Sequence, residues 1–201
     1  MVSSFPPIRA CIFDVDGTLI NTEDIYSDIY NTILQEYGKP NYPWKIKAIQ
    51  QSRGTSIFGD DPEMLHCDKK PSPDIFLLAL KRLNNACVVA HDGEPEGLKP
   101  EECLVFEDSI AGVEAARRAG MRVVWVLHPG LAQVCRGREM DVLMGRTEEG
   151  GQAPDFSETE IDSSGSTVER NDCDGLMSED GWAEMRLSLE DFPYGKYGIN
   201  V

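Results

Sequence analysis

The chain reads as an α/β protein: a Rossmann-like parallel sheet with a disordered acidic C-terminal segment. Three observations predict this. An apolar run from Ile8 to Phe13 ends in two carboxylates, Asp14 and Asp16, followed by the small turn residues Gly17 and Thr18. Aspartates resist strand interiors, so the pair belongs at a strand's carboxyl end, where an open α/β sheet has its ligand crevice. A second run, Cys103 to Phe106, ends in Glu107-Asp108-Ser109. A helical pattern and a third run, Arg122 to Leu127, follow; such a β-α-β unit pairs in parallel. The charge, finally, is segregated. Of a net −16, residues 146–191 contribute 14 acidic against 3 basic side chains.

Taken in order, the first strand is Arg9–Asp14. Ile25, Tyr26, Ile29, Tyr30, Ile33 and Leu34 then recur at helical spacing, predicting a helix over 22–37. Asn21 or Thr22 caps it, and Gly38 and Pro40 end it. A shorter helical piece covers 44–51. Ser56-Ile57-Phe58 reads as a short strand closing in Gly59-Asp60-Asp61. Ser72, Pro73 and Asp74 have the chemistry of a helix start, and the stripe Ile75, Leu78, Ala79, Leu83 carries that helix to 83. Residues 84–100 read as a loop. After the β-α-β unit come a short helix over 131–138 and an edge strand over 140–144. The aperiodic Gly/Ser/Glu/Asp-rich stretch that follows is expected to be disordered, and 182–192 to form a docking helix. The domain reading is therefore a core over 1–20 and 55–145, a remnant cap over 21–54, a disordered acidic tract over 146–181 and a C-terminal docking segment over 182–201.

Composition narrows the function classes. At 201 residues and 41% apolar content, the chain holds one core with a small appendage. No run reaches the length of a membrane span, and the N-terminus lacks a secretory pattern, so a cytoplasmic protein is expected. The six cysteines form no CxxC pair and read as reduced thiols. The acidic balance argues against nucleic acid as a partner. A monomer acting on a small molecule is expected.

The carboxylate spacing has a chemical logic. Asp14 is placed to attack phosphorus and form an aspartyl-phosphate. Asp16, two residues on, can protonate the leaving oxygen and then activate water. Backbone N–H groups at Val15, Gly17 and Thr18 can cradle phosphoryl oxygens. Clustered carboxylates attract Mg²⁺, and Asp14, Asp16, Asp108 and Glu107 are the candidate ligands. Lys70, at an expected helix start, sits badly with the helix dipole; its ammonium is available to neutralise an aspartate–phosphate cluster.

The run Asp14-Val15-Asp16-Gly17-Thr18 resembles the first motif of the haloacid dehalogenase superfamily. Lys70-Pro71-Ser72-Pro73-Asp74 resembles its third. Val105-Phe106-Glu107-Asp108-Ser109 with Ala111-Gly112 and Ala115-Ala116 resembles its fourth. Gly59-Asp60-Asp61-Pro62-Glu63 and Pro73-Asp74-Ile75-Phe76-Leu77 are similar to the branch holding the pseudouridine-5'-phosphatases and β-phosphoglucomutase-like proteins. The resemblance, over roughly 8–145 and 182–200, implies Mg²⁺-dependent hydrolysis of a small phosphorylated metabolite, a sugar phosphate or nucleoside 5'-phosphate.

The family also has a second core strand ending in Ser or Thr, and a four-helix cap. Here about 40 residues separate Asp16 from Ser56, and Gln50-Gln51-Ser52-Arg53-Gly54 runs almost directly into Ser56-Ile57-Phe58. This departure implies loss of an internal block containing most of the cap and that strand. Thr55 and Ser56, at the start of a strand, stand at the wrong sheet edge to replace the hydroxyl. A catalytically impaired, truncated protein is therefore the alternative. A phosphorylated signalling receiver is disfavoured by Asp16, which would shorten the phospho-state.

Overall fold

The computed structural model describes residues 5–44, 67–90, 97–147 and 174–199. Among these residues four strands form one sheet: β1 (Ala10–Phe13), β2 (Cys103–Glu107), β3 (Arg122–Val126) and β4 (Ala183–Arg186). They are ordered β1-β2-β3-β4, and every pairing is parallel. The register sets Phe13 beside Phe106 and Glu107 beside Trp125, so β1 and β2 deliver their terminal carboxylates to the same sheet edge. The expected α/β class with a Rossmann-like parallel sheet holds.

Among the described residues five helices accompany the sheet: α1 (Thr22–Glu36), α2 (Asp74–Ala90), α3 (Ile110–Arg118), α4 (Pro129–Val134) and α5 (Glu139–Leu143). Among the described residues none is long and apolar enough to cross a membrane. All of β2 is buried, as a strand with neighbours on both sides and covered faces must be. On one face Cys103, Val105, Val123 and Trp125 pack with Val113 and Ala116 of α3 and with Phe76, Leu131 and Leu143. On the other, Leu104, Phe106 and Val124 are covered by Ile8, Phe192 and Tyr197. A row of rings runs across that second face, Phe13 stacked on Phe106 and Phe106 edge-on to Phe192.

The β1 strand is different. Among the described residues only β2 pairs with it, and its side chains alternate between half-buried and exposed. Phe13 remains 42% exposed. An open groove beside the strand is lined by Cys11, Ile12, Ala79, Leu83 and Ala86. The expected strand at 56–58 and most of the helical piece at 44–51 lie outside the described residues.

Three local expectations are corrected. Helix α2 runs to Ala90, not 83, because Asn84–Ala90 contains no glycine or proline to stop it. Residues 140–144 do not form an edge strand: Glu139–Leu143 is a helical turn that buries Val142 and Leu143. The place beside β3 is taken by β4, so 182–192 supplies a strand and not a docking helix. Ala183, Glu184 and Met185 are all buried, a continuous run that suits a strand covered on both faces. Residues 148–173 of the acidic tract lie outside the described residues, while 174–181 turn against β4, with Gly175 N–H donating to Met185 O and Ser178 N–H to Ala183 O.

That turn is pinned by Asp180. Its carboxylate accepts both Arg117 guanidinium nitrogens, at 3.1 and 2.5 Å, the Ser178 hydroxyl at 2.7 Å and the Trp182 N–H at 3.2 Å. Burial alone would raise its pKa, but these donors bring it down to about 2. A carboxyl depressed in the folded state contributes stability above its unfolded pKa and loses it as pH falls through the folded value. Asp180→Asn is therefore expected to flatten the fall in stability between about pH 4 and pH 2, read as urea midpoints against pH. An acid limb as steep as that of the wild type would contradict this role.

Candidate active site

The loop leaving β1 is built from backbone hydrogen bonds. Asp14 N–H donates to Phe106 O at 2.9 Å, holding the end of β1 to β2. Val15 O accepts from Leu19 and Ile20, and Ile20 O from Gly17 and Thr22. Gly17 has φ +87, and a Cβ there would come within 2.1 Å of the Asp108 carboxylate. Both conditions require glycine. The Gly17 N–H is thus engaged inside the loop, while Thr18 Oγ1 donates to Asp108 Oδ1 at 3.4 Å.

Three carboxylates converge here. Oxygens of Asp14, Glu107 and Asp108 all lie within 4.8 Å of one another. Lys70, just before the cis Lys70–Pro71 bond, places Nζ 2.8 Å from Asp14 Oδ1 and in a short hydrogen bond to Glu107 Oε1. The ammonium is buried, 5.5 Å from the centre of the Phe76 ring. Of the residues expected at the site, Asp14, Lys70, Glu107 and Asp108 are brought together. The Asp16 side chain is exposed and its carboxylate lies outside the three-carboxylate group, with Val15 also exposed beside it.

The electrostatics follow from this crowding. Burial, then the Glu107 charge, pushes Asp14 up to about 6, against the pull of Lys70. Burial, Glu107, Asp14 and Glu23 push Asp108 up to about 8. Burial opposes the charge on Lys70, yet Glu107 and Asp14 together drive its pKa upward. One ammonium thus faces three carboxylates in a region of low dielectric. Hard oxygen donors with surplus negative charge are what a hydrated divalent cation requires, so the residues present fit Mg²⁺.

A supporting layer holds these groups. Ser109 donates its N–H and Oγ to Glu107 Oε2 at 2.8 and 2.9 Å, while its Oγ accepts the Gly112 N–H and so caps α3. A Cβ at Gly112 would lie 2.0 Å from the Glu107 carboxylate. The buried Trp125 donates Nε1–H to Asp108 O at 2.8 Å. Sequence reasoning assigned no role to Ser109, Gly112 or Trp125. Ser109 and Gly112 had a signal, since Ser before a helical run and a small residue three positions on suit a cap. Trp125 had none, because its partner is a backbone carbonyl 17 positions away.

Sequence profiles of haloacid dehalogenase-like hydrolases match residues 50–120 and 11–59, the two matches meeting where an internal block was expected to be missing. A probable pseudouridine-5'-phosphatase of Saccharomyces cerevisiae is 28% identical over 223 positions, covering 70% of this chain and 91% of that protein. Since the whole chain has 201 residues, a large part of that relative aligns to no residue here. A probable pseudouridine-5'-phosphatase of Drosophila melanogaster is 29% identical, covering 63% of this chain and 84% of its own length. A phosphorylated carbohydrates phosphatase of Thermotoga maritima is 25% identical, with 60% and 86% coverage.

Two substitutions test the supporting layer. Gly17→Ala is expected to cost about 1–3 kcal/mol through its positive φ alone, read in urea unfolding. Gly112→Ala is expected to displace Glu107 and weaken Mg²⁺ binding by at least about tenfold, read by calorimetry. Wild-type affinity in a folded Gly112→Ala protein would show that Glu107 does not order the site.

Proposed function

Because the chain belongs to the haloacid dehalogenase-like hydrolase superfamily, in the branch of the pseudouridine-5'-phosphatases and β-phosphoglucomutase-like proteins, we propose that it hydrolyses a small phosphomonoester, a sugar phosphate or nucleoside 5'-phosphate, through an aspartyl-phosphate on Asp14. The observation that carries this is the contact of Lys70 Nζ with Asp14 and Glu107, beside Asp108, at the carboxyl ends of two parallel strands.

In this reading an Asp14 oxygen attacks phosphorus as the bond from phosphorus to the ester oxygen breaks. Asp16 delivers a proton to the departing oxygen. The carboxylate so formed on Asp16 then takes a proton from water. The water oxygen attacks phosphorus, the acyl-phosphate bond breaks, and inorganic phosphate and free Asp14 result. Lys70 keeps Asp14 charged for attack and offsets the negative charge of the phosphoryl group. Val15, Gly17 and Thr18 line the phosphoryl position, Gly17 after its N–H is released from Ile20. Asp14, Glu107 and Asp108 would hold Mg²⁺, which when bound offsets charge on the phosphoryl oxygens. The related phosphatases support the substrate class. One chain supplies every proposed site residue, which supports action as a monomer. The free thiols of Cys11, Cys67, Cys103 and Cys135 support a reducing, cytoplasmic setting.

A second reading, an impaired truncated protein, is favoured by one specific feature. The strand bearing Asp14 has an unpaired edge among the described residues, and Val15, Leu19 and Ile20 beyond it are each about half exposed. Hydrolysis of p-nitrophenyl phosphate with and without Mg²⁺ separates the two readings. If Asp14 is the nucleophile, Asp14→Asn is expected to lower kcat by about 10³-fold or more, and removing Mg²⁺ to abolish turnover. Equal rates for Asp14→Asn and the folded wild type would leave the impaired reading standing.

A further inference from the structure

Helix α1 continues the catalytic loop, yet it has little to rest on. None of its residues is buried, and Ile25, Tyr26, Ile29, Tyr30 and Ile33 are each about half exposed. Packing of an apolar face is what normally fixes a helix, and among the described residues nothing buries the apolar face of α1. The loop before it is firmer. With Val15 O accepting from Leu19 and Ile20, and Ile20 O from Gly17 and Thr22, residues 15–22 form one hydrogen-bonded unit continuous with α1. Whatever seats α1 also seats Asp16.

His128 lies just beyond β3, on the core. Its Nδ1 accepts the Gly130 N–H at 3.1 Å, which assigns the proton of the neutral ring to Nε2. Nε2 is 3.3 Å from Oδ1 of Asp24, in the first turn of α1. The imidazole also stacks on Trp44, with ring centres 4.6 Å apart and planes at 22°. Trp44 in turn covers Gly130, where a Cβ would come within 2.0 Å of the indole. One ring, oriented by the core backbone, therefore grips the start of α1 and the indole beyond its end.

The geometry points to His128 as the positioning residue that seats α1, and with it Asp16, over the acidic site. The inference rests on the reading of Asp16 as the proton donor. Its signature depends on the leaving group. p-Nitrophenolate departs without a proton, whereas the alkoxide of a sugar or glycerol needs one. The parameter kcat/KM reports on the step in which that group leaves.

The test compares wild type with His128→Ala, His128→Asn and Gly130→Ala, using p-nitrophenyl phosphate and glycerol 3-phosphate. Melting temperature and the emission of Trp44 (by difference from Trp44→Phe counterparts) are followed alongside. His128→Asn keeps a side-chain acceptor for the Gly130 N–H and so preserves the fold. Gly130→Ala substitutes no proposed site residue and dislodges Trp44. Each variant is expected to lose about tenfold or more in kcat/KM on glycerol phosphate, within the range of general-acid catalysis. On the aryl ester each should stay near wild type, with red-shifted Trp44 emission. Equal losses on both esters, or no loss on either, overturn the proposal. If wild type hydrolyses neither ester, the phosphatase reading fails, and the seating is decided by emission alone. A red shift in His128→Asn then upholds it, and an unchanged spectrum overturns it.

Discussion

The ammonium of Lys70 joins the ends of β1 and β2 to the segment that begins α2. It meets Asp14 from the first strand and Glu107 from the second, both far apart in sequence and adjacent in the sheet. Burying an ammonium and three carboxylates carries a desolvation cost that only close pairing offsets. The parallel register meets that condition by bringing Phe13 and Phe106 side by side, which carries the carboxylates after them to one edge. Removing Lys70 would leave the carboxylates facing one another without compensation. The site's chemistry and the local fold therefore depend on the same contact.

Around that contact the molecule is uneven. β2 and β3 are enclosed, with helices on one face and Phe192 and Tyr197 on the other. β1 and α1 are half exposed, with an unpaired strand edge and an uncovered apolar stripe among the described residues. An open edge is a liability in a sheet. It falls on the strand that carries Asp14, which is why the site is held mainly from the β2 side. Ser109 fixes Glu107, and Trp125 fixes the Asp108 carbonyl. His128 reaches α1 from beyond β3.

Much of this was legible in residue order. Asp14 and Asp108 mark strand ends because carboxylates are excluded from strand interiors, and β1, β2, α3 and β3 follow from apolar runs and caps. The legible part ends where a short segment fits two periods. Met140–Met144 is apolar at four of five positions, which suits a short strand, yet it forms a helical turn that buries Val142 and Leu143, while β4 takes the place beside β3. Ala183–Arg186 lies within the stretch 182–192 expected to form a docking helix. It becomes a buried strand because Glu184 finds Lys196 and Tyr197, partners that no local pattern announces. Trp125 lies in the run read as the third strand, and His128 stands just past it. Their second roles involve Asp108 O, Asp24 and Trp44, all distant in sequence.

Residue order alone determined the α/β class, the parallel β-α-β unit, the superfamily and the carboxylates and lysine of the site. These depend on local chemistry: which residues end a strand, cap a helix or tolerate a tight turn. The tertiary structure decided which of those groups meet and what holds them. Asp16 stands apart from the three-carboxylate group, the Gly17 N–H is engaged within its own loop, and α1 is attached to the core through His128. Distances between segments remote in sequence arise from sheet register and packing, and neither is written in any one stretch of the chain.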